Sequence, residues 1–193
     1  MDLVEDFEFF YRTEFVPAYA DVVSFLGDKP VQILVEIENA FAHFIKYFNS
    51  DLEKKAKVEN IIKAKNHLIR ATLDCYKMIW LEINKYLRRI YESHFLRRIC
   101  TTTEELEFAE DYNIFTSMAN DARRIEIDSI GIDPLEALTK YKETMKFGYE
   151  LMRKGDKYQH GASDLFIKRY LSIDNLIFFI MGLISSAIVA IIL

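Results

Sequence analysis

The chain has 193 residues and a formal net charge of −5, and 51% of its residues are hydrophobic while 28% are charged. It contains only six glycines and three prolines. Because an all-β fold of this length needs many turns, this scarcity excludes such a fold and predicts a small number of long helices. Stable nucleic-acid binding is not expected of a chain with this acidic balance.

Three helices are predicted in the N-terminal half. Residues 2–26 are crowded with aromatic side chains and form a first helix, which Pro17 should kink or split. After a turn, residues 31–49 form a second helix with an apolar stripe at Leu34, Ile37, Phe41, Phe44 and Phe48. Residues 51–98 contain neither glycine nor proline, so they form a third helix. It would be about 70 Å long if unbroken, and we therefore expect a kink or a protruding end.

A heptad seam runs along this third helix. One seam position is taken by Ile62, Ile69, Tyr76, Ile83 and Ile90. The other is taken by Asn66, Leu73, Trp80, Leu87 and His94. We expect neighbouring helices to pack along the seam in the manner of a coiled coil.

The C-terminal half begins with a threonine-capped fourth helix that runs to about Ile127. Asp133 and Pro134 then cap a fifth helix, which continues to Lys154. Residues 155–163 are predicted to be a linker, and a further helix starts at Asp164. The sequence therefore predicts an all-α fold: a helical bundle with one very long helix.

The last 18 residues, 176–193, read LIFFIMGLISSAIVAIIL and carry no charge. As a helix they would be about 27 Å long, close to the hydrocarbon thickness of a bilayer. Lys168 and Arg169 precede them and favour the cytoplasmic side. We expect a single-pass membrane protein in which residues 1–163 form a cytosolic bundle and residues 164–193 form a juxtamembrane segment and a transmembrane helix.

Small residues recur every four positions in the predicted transmembrane helix, at Gly182, Ser186 and Ala190. Such a stripe lets two membrane helices approach closely. The sequence therefore predicts a homo-oligomer associated through this face, with the lipid bilayer as its first partner.

Charge is segregated along the chain. Residues 51–98 carry twelve basic and six acidic side chains, whereas residues 1–50 carry three basic and nine acidic ones. Mutual packing and solvated faces explain this pattern most simply. The alternative is an anionic nucleotide bound along the third helix by Lys54, Lys55, Lys57, Lys63, Lys65 and Arg70.

A polar cluster is predicted between the second and third helices. Glu36 and His43 are seven residues apart and share a helix face near Asn39, and His67 lies across the bundle from them. The cluster is interpreted as packing histidines that are satisfied by hydrogen bonds, with an acid/base or metal role as the alternative. No spacing in the chain is typical of a metal site, so no metal and no cofactor are expected.

Glu38, Asn39 and His43, facing the third-helix segment 63–71, resemble the HEPN superfamily of helical bundles, which is common in prokaryotic conflict and RNA-processing systems. HEPN ribonucleases carry an arginine, then a polar residue, and a histidine four to six positions after the arginine. Asn39 and His43 match the last two, but Glu38 stands where the arginine should be. Since glutamate repels a phosphate, the resemblance implies an inactive copy of the motif.

The functional expectation is a membrane-anchored interaction or effector protein that self-associates and acts at the membrane in response to a cytosolic signal. The HEPN resemblance adds an antiviral-defence setting and a protein partner, and an enzyme is the less favoured reading. Two alternatives stay open. One is a membrane-tethered HEPN-like ribonuclease using Arg89 and His94, and the other is an effector gated by an anionic nucleotide.

Overall fold

A computed structural model describes the backbone of residues 2–93, 102–128 and 134–170, and the side chains of these ranges except 102–105 and 155–170. All the regular structure in these ranges is helical, which confirms the all-α prediction. The helices are α1 (Leu3–Phe10), a π-helical turn (Tyr11–Phe15), α2 (Val16–Leu26), α3 (Val31–Tyr47), α4 (Lys54–Glu92), α5 (Thr102–Asp128) and α6 (Leu135–Tyr170).

The first predicted helix is interrupted just before its proline. A capping box between Asp2 and Glu5 starts α1. The Asp2 carboxylate accepts from the backbone N–H groups of Leu3 and Glu5, and Glu5 Oε2 accepts from the backbone N–H of Asp2. The π-helical turn then brings the backbone N–H of Val16 to the carbonyl of Tyr11, five residues earlier. Pro17 follows at the first turn of α2, where its missing N–H costs little.

A left-handed glycine ends the first helical stretch. Gly27 has φ +72°, a conformation that residues with a Cβ rarely adopt, and its N–H bonds the carbonyl of Val23. Pro30 then precedes α3, whose first residue is Val31. The predicted turn between the first two helices is thus confirmed, and the structure supplies its physical cause.

Helix α4 runs without a break through 39 described residues. The predicted heptad seam holds from Ile69 to Ile90, where its residues are mostly buried, but Ile62 and Asn66 are exposed. The coiled-coil expectation is therefore wrong at the start of the helix. All six residues from Ala71 to Tyr76 are buried, so α4 is covered on every side there rather than along one seam.

The predicted linker at residues 155–163 is also wrong, because α6 continues through it to Tyr170. The segment contains glycines at 155 and 161, but each costs a helix only about 1 kcal/mol relative to alanine. None of the described helices is both long and apolar enough to cross a bilayer. The predicted anchor at 176–193, including Gly182, Ser186 and Ala190, lies outside the described residues.

The chain divides into two compact units. Residues 1–85 and 113–150 form the first unit, and its fully buried side chains include Val22, Ile33, Leu68, Ile79 and Phe115. Stacked aromatic rings also link its helices, as for Phe7 of α1 and Phe44 of α3, whose centroids are 4.6 Å apart.

The described residues of the second unit are 86–93, 102–112 and 151–170. Within its described part, the rings of Tyr91 and Tyr112 lie 4.7 Å apart. Lys154 bridges Asp111 at 2.7 Å and Glu107 at 3.0 Å, and these two hydrogen bonds raise the pKa of its amine. The ion pairs therefore join α5 to α6 within this unit.

Candidate functional site

Helices α3 and α4 bring three of the four residues of the predicted polar cluster together. His67 Nδ1 lies 2.7 Å from Glu36 Oε2, and the rings of His67 and His43 stack with centroids 5.4 Å apart and planes inclined by 13°. All three side chains are half-buried, whereas Asn39 is exposed. The predicted proximity of Glu36, His43 and His67 is thus what the fold produces.

Asn60 is a fourth member that sequence reasoning missed. Its Oδ1 lies 2.9 Å from His43 Nδ1, and its Nδ2 donates to the carbonyl of Ala56 at 2.8 Å. Only the position of Asn60 on α4, two turns before His67, could have pointed to it.

The partners of the two imidazoles fix the positions of their protons. Because Asn60 Oδ1 and the Glu36 carboxylate accept, His43 and His67 both donate through Nδ1. In the neutral form of each ring, the lone pair is therefore on Nε2. Within the described ranges, no group of three or more His, Cys, Asp or Glu side chains has a geometry that holds a metal ion.

The basic residues proposed for an anionic ligand do not share one face of α4. Lys63 and Arg70 are seven residues apart and exposed on one side of the helix. Lys65 points elsewhere, because its Nζ pairs with Asp6 at 2.5 Å and lies 5.8 Å from the centre of the Phe10 ring. Lys54, Lys55 and Lys57 belong to the first turn of the helix.

Of the alternative ribonuclease pair, Arg89 is exposed on α4. His94 lies outside the described residues. The distance between Arg89 and His94 is therefore not described, and their pairing stays a prediction.

A second polar group lines a cavity of about 240 Å³ between α4, α5 and α6 in the first unit. Asp74 accepts from Gln32 Nε2 at 2.6 Å and pairs with Lys77 at 2.7 Å. Lys77 also pairs with Glu126 at 2.9 Å, and Glu126 accepts from the Tyr141 hydroxyl at 2.9 Å. These contacts form one continuous network between the helices.

The network satisfies its own charges. Burial acts to lower the pKa of Lys77, but its hydrogen bonds to Asp74 and Glu126 prevail and raise it. Burial, together with Glu126, raises the pKa of Tyr141. Trp80 also lines the cavity, but its indole N–H is buried without an acceptor among the described residues. The network therefore joins the helices, and the charge of Lys77 is paired with those of Asp74 and Glu126.

The outer face of α3 is an unusual surface for a soluble helix. Six large apolar side chains on it are between 40% and 73% exposed: Val31, Leu34, Val35, Phe41, Ile45 and Phe48. Intervals of three, four and seven residues, from Val31 on to the C-cap residue Phe48, join them into one stripe, which we call the α3 stripe. The opposite face, with Ile33 and Ala40, is fully buried against the bundle.

The α3 stripe corrects one detail of the sequence interpretation. Leu34, Phe41 and Phe48 belong to the exposed stripe, whereas Ile37 and Phe44 turn towards the bundle. The predicted single apolar stripe is thus two faces of one helix.

Comparison of the chain with protein-family models, with curated proteins and with solved structures finds no match.

Proposed function

We propose that this chain is a non-enzymatic helical interaction module that is held at a membrane by residues 176–193 and binds a protein through the α3 stripe. The exposure of the stripe is the observation that carries this proposal. A contiguous apolar patch larger than a few hundred Å² on a folded domain is typical of an interaction site. The exposed fractions of the six side chains correspond to roughly 600 Å² of surface.

The surroundings of the stripe favour a protein rather than a lipid surface. Gln32, Asn39 and Lys46 border the stripe and Glu38 lies within it, so the apolar surface has a polar rim and carries one charge inside it. A helix that lies on a membrane carries many lysines and arginines beside its apolar face. α3 carries one, Lys46, together with two glutamates, Glu36 and Glu38.

The membrane part of the proposal rests on the sequence of residues 176–193. Their 18 uncharged residues fit one bilayer crossing, and the small-residue stripe at Gly182, Ser186 and Ala190 would bring several copies together. A module concentrated in this way binds partners through several sites at once, which strengthens weak individual contacts. An antiviral-defence role is an extension of the proposal, supported by the HEPN resemblance alone.

Site-specific photo-crosslinking of the full chain tests the proposal. A photoreactive phenylalanine analogue replaces Ile45 in the stripe, and in the matched control it replaces Ile114, an apolar residue on α5 that is also exposed. We expect protein adducts from position 45 and none from position 114. Lipid adducts alone, or equal protein adducts at both positions, would refute a protein-binding function for the stripe.

Acid–base cleavage of RNA is the second candidate, and the stacked rings of His43 and His67, each bonded through Nδ1, favour it. It is tested by comparing RNA cleavage by the full chain with that by His67→Ala and by His94→Ala. A loss in His67→Ala alone would assign the chemistry to the stacked pair, and a loss in His94→Ala alone would assign it to the Arg89–His94 pair. Equal rates in all three proteins would exclude both.

A further inference from the structure

We infer that the partner of the α3 stripe is a second copy of the same chain, packed antiparallel across a twofold axis. This inference rests on the proposed function, because it names the protein that the stripe binds. It is carried by two exposed charges on α3, Glu38 and Lys46. Neither forms an ion pair with any of the residues that the structure describes.

The order of these two charges selects the direction of packing. In a parallel twofold pair of α3 helices, the two Glu38 side chains would meet at the same height near the stripe centre, so like charges would face each other. In an antiparallel pair, the helix end with Val31 and Leu34 covers the other copy's end with Ile45 and Phe48.

The antiparallel register also pairs the opposite charges. With the ends of the two stripes overlapping, Glu38 of one copy lies about 7–8 Å along the axis from Lys46 of the other, a distance that these side chains span. The twofold axis repeats the contact, so the interface gains two ion pairs. Viewed along the helix axis, Glu38 lies about 20° and Lys46 about 100° from the stripe centre, in the same direction of rotation. The twofold axis of an antiparallel pair keeps each side chain on the same side of the interface, so the two charges can meet there.

The area available agrees with a self-interface. Two stripes of roughly 600 Å² each bury at most about 1,200 Å² in total, which is the lower end of the range for specific protein interfaces. A contact of this size is weak for two free molecules. Two copies confined to one membrane meet at a much higher effective concentration, so the same contact is then sufficient.

Charge reversal in the full chain tests the inference. The variants are Glu38→Lys and Lys46→Glu, each produced with two different affinity tags and with the photoreactive residue at position 45. They are co-expressed, crosslinked by light in the membrane, and the adducts are then pulled down in detergent. We expect each variant to retain itself about tenfold less than wild type does, because two attractive contacts become repulsive. Mixing the two variants restores retention, because each of the two contacts then joins a lysine of the Glu38→Lys copy to a glutamate of the Lys46→Glu copy.

The double variant Glu38→Lys/Lys46→Glu should also retain itself at the wild-type level, because both pairs are simply exchanged. Residues 176–193 are identical in every pairing, so differences between the pairings report α3 alone. Thermal unfolding of each variant serves as the folding control, and both residues are exposed, so little change is expected.

Equal retention in all pairings would overturn the inference, as would a loss that the mixed pair fails to recover. The proposed function would survive that result if the crosslinks at position 45 identify a different protein. It would fail together with the inference only if position 45 gives no protein adduct. The two experiments therefore separate the failure of the partner from the failure of the surface.

Discussion

Replacing Gly148 by alanine sets helix propensity against packing. Gly148 lies in α6, where alanine is intrinsically better than glycine by about 1 kcal/mol. An added Cβ would, however, lie 2.7 Å from Phe115 Cε2 and 3.3 Å from both Phe115 Cζ and Ile83 Cγ2. The ring of Phe115 is fully buried in α5, so the core around it must shift to make room.

The packing effect should be the larger of the two. Forcing an extra methyl group into a well-packed core costs about 1–3 kcal/mol. After the gain in propensity, we expect Gly148→Ala to lower the free energy of unfolding by up to about 2 kcal/mol. The protein should then unfold at a lower urea concentration with an unchanged slope.

Urea unfolding of the full chain in mild detergent, followed by the fluorescence of Trp80, the sole tryptophan, measures this change. A double-mutant cycle with Phe115→Leu is the control, because the smaller side chain removes the atoms nearest the new methyl group. Gly148→Ala should cost less in the Phe115→Leu background than in wild type. A rise in stability in the wild-type background would refute the packing argument.

Three further predictions follow from buried or constrained groups. Gly27→Ala should cost about 1 kcal/mol in urea unfolding, entirely through its positive φ, because no atom lies within 4 Å of the added Cβ. In a Cys100→Ser background, Cys75 should react with iodoacetamide only after unfolding. Burial shields its thiol from the reagent and raises the pKa of the thiol to about 12. Fast labelling of the folded protein would contradict this. Burial, with Glu14 and Asp21, raises the pKa of Tyr76 to about 12, so the folded state keeps its proton longer than the unfolded state does. Stability should therefore fall as the pH rises from 10 to 12, by at most about 2 kcal/mol from this residue, and the fall should be shallower in Tyr76→Phe.

The helices themselves were largely predictable, because their signals are local. Pro30 and the turn at Gly27 mark the start of α3, and the absence of breakers after residue 51 predicts α4. The linker at 155–163 failed for a physical reason. Glycine weakens a helix by an amount that the neighbouring residues readily exceed, so two glycines in a long helical segment do not end it.

The sites were less predictable, because they depend on how each helix is rotated. Seven-residue spacing placed Glu36 and His43 on one face, and the fold brought His67 to them. Asn60 could not be found in the same way, since its bond to His43 depends on the register between α3 and α4. The same rotation decides that Phe41 is exposed while Phe44 packs inward, although both belong to one apolar pattern.

The π-helical turn at Tyr11–Phe15 can be viewed in evolutionary terms. Buried side chains before and after it recur at Phe7, Phe10, Phe15, Ala18 and Val22, with steps of three, five, three and four residues. The step of five is one residue longer than an α-helix permits on a single face, and the wide turn takes up that residue. An insertion can therefore be accommodated at this point without turning the rest of the segment away from the core. Lengths of homologous chains should vary by one residue here more readily than in the uninterrupted helix α4.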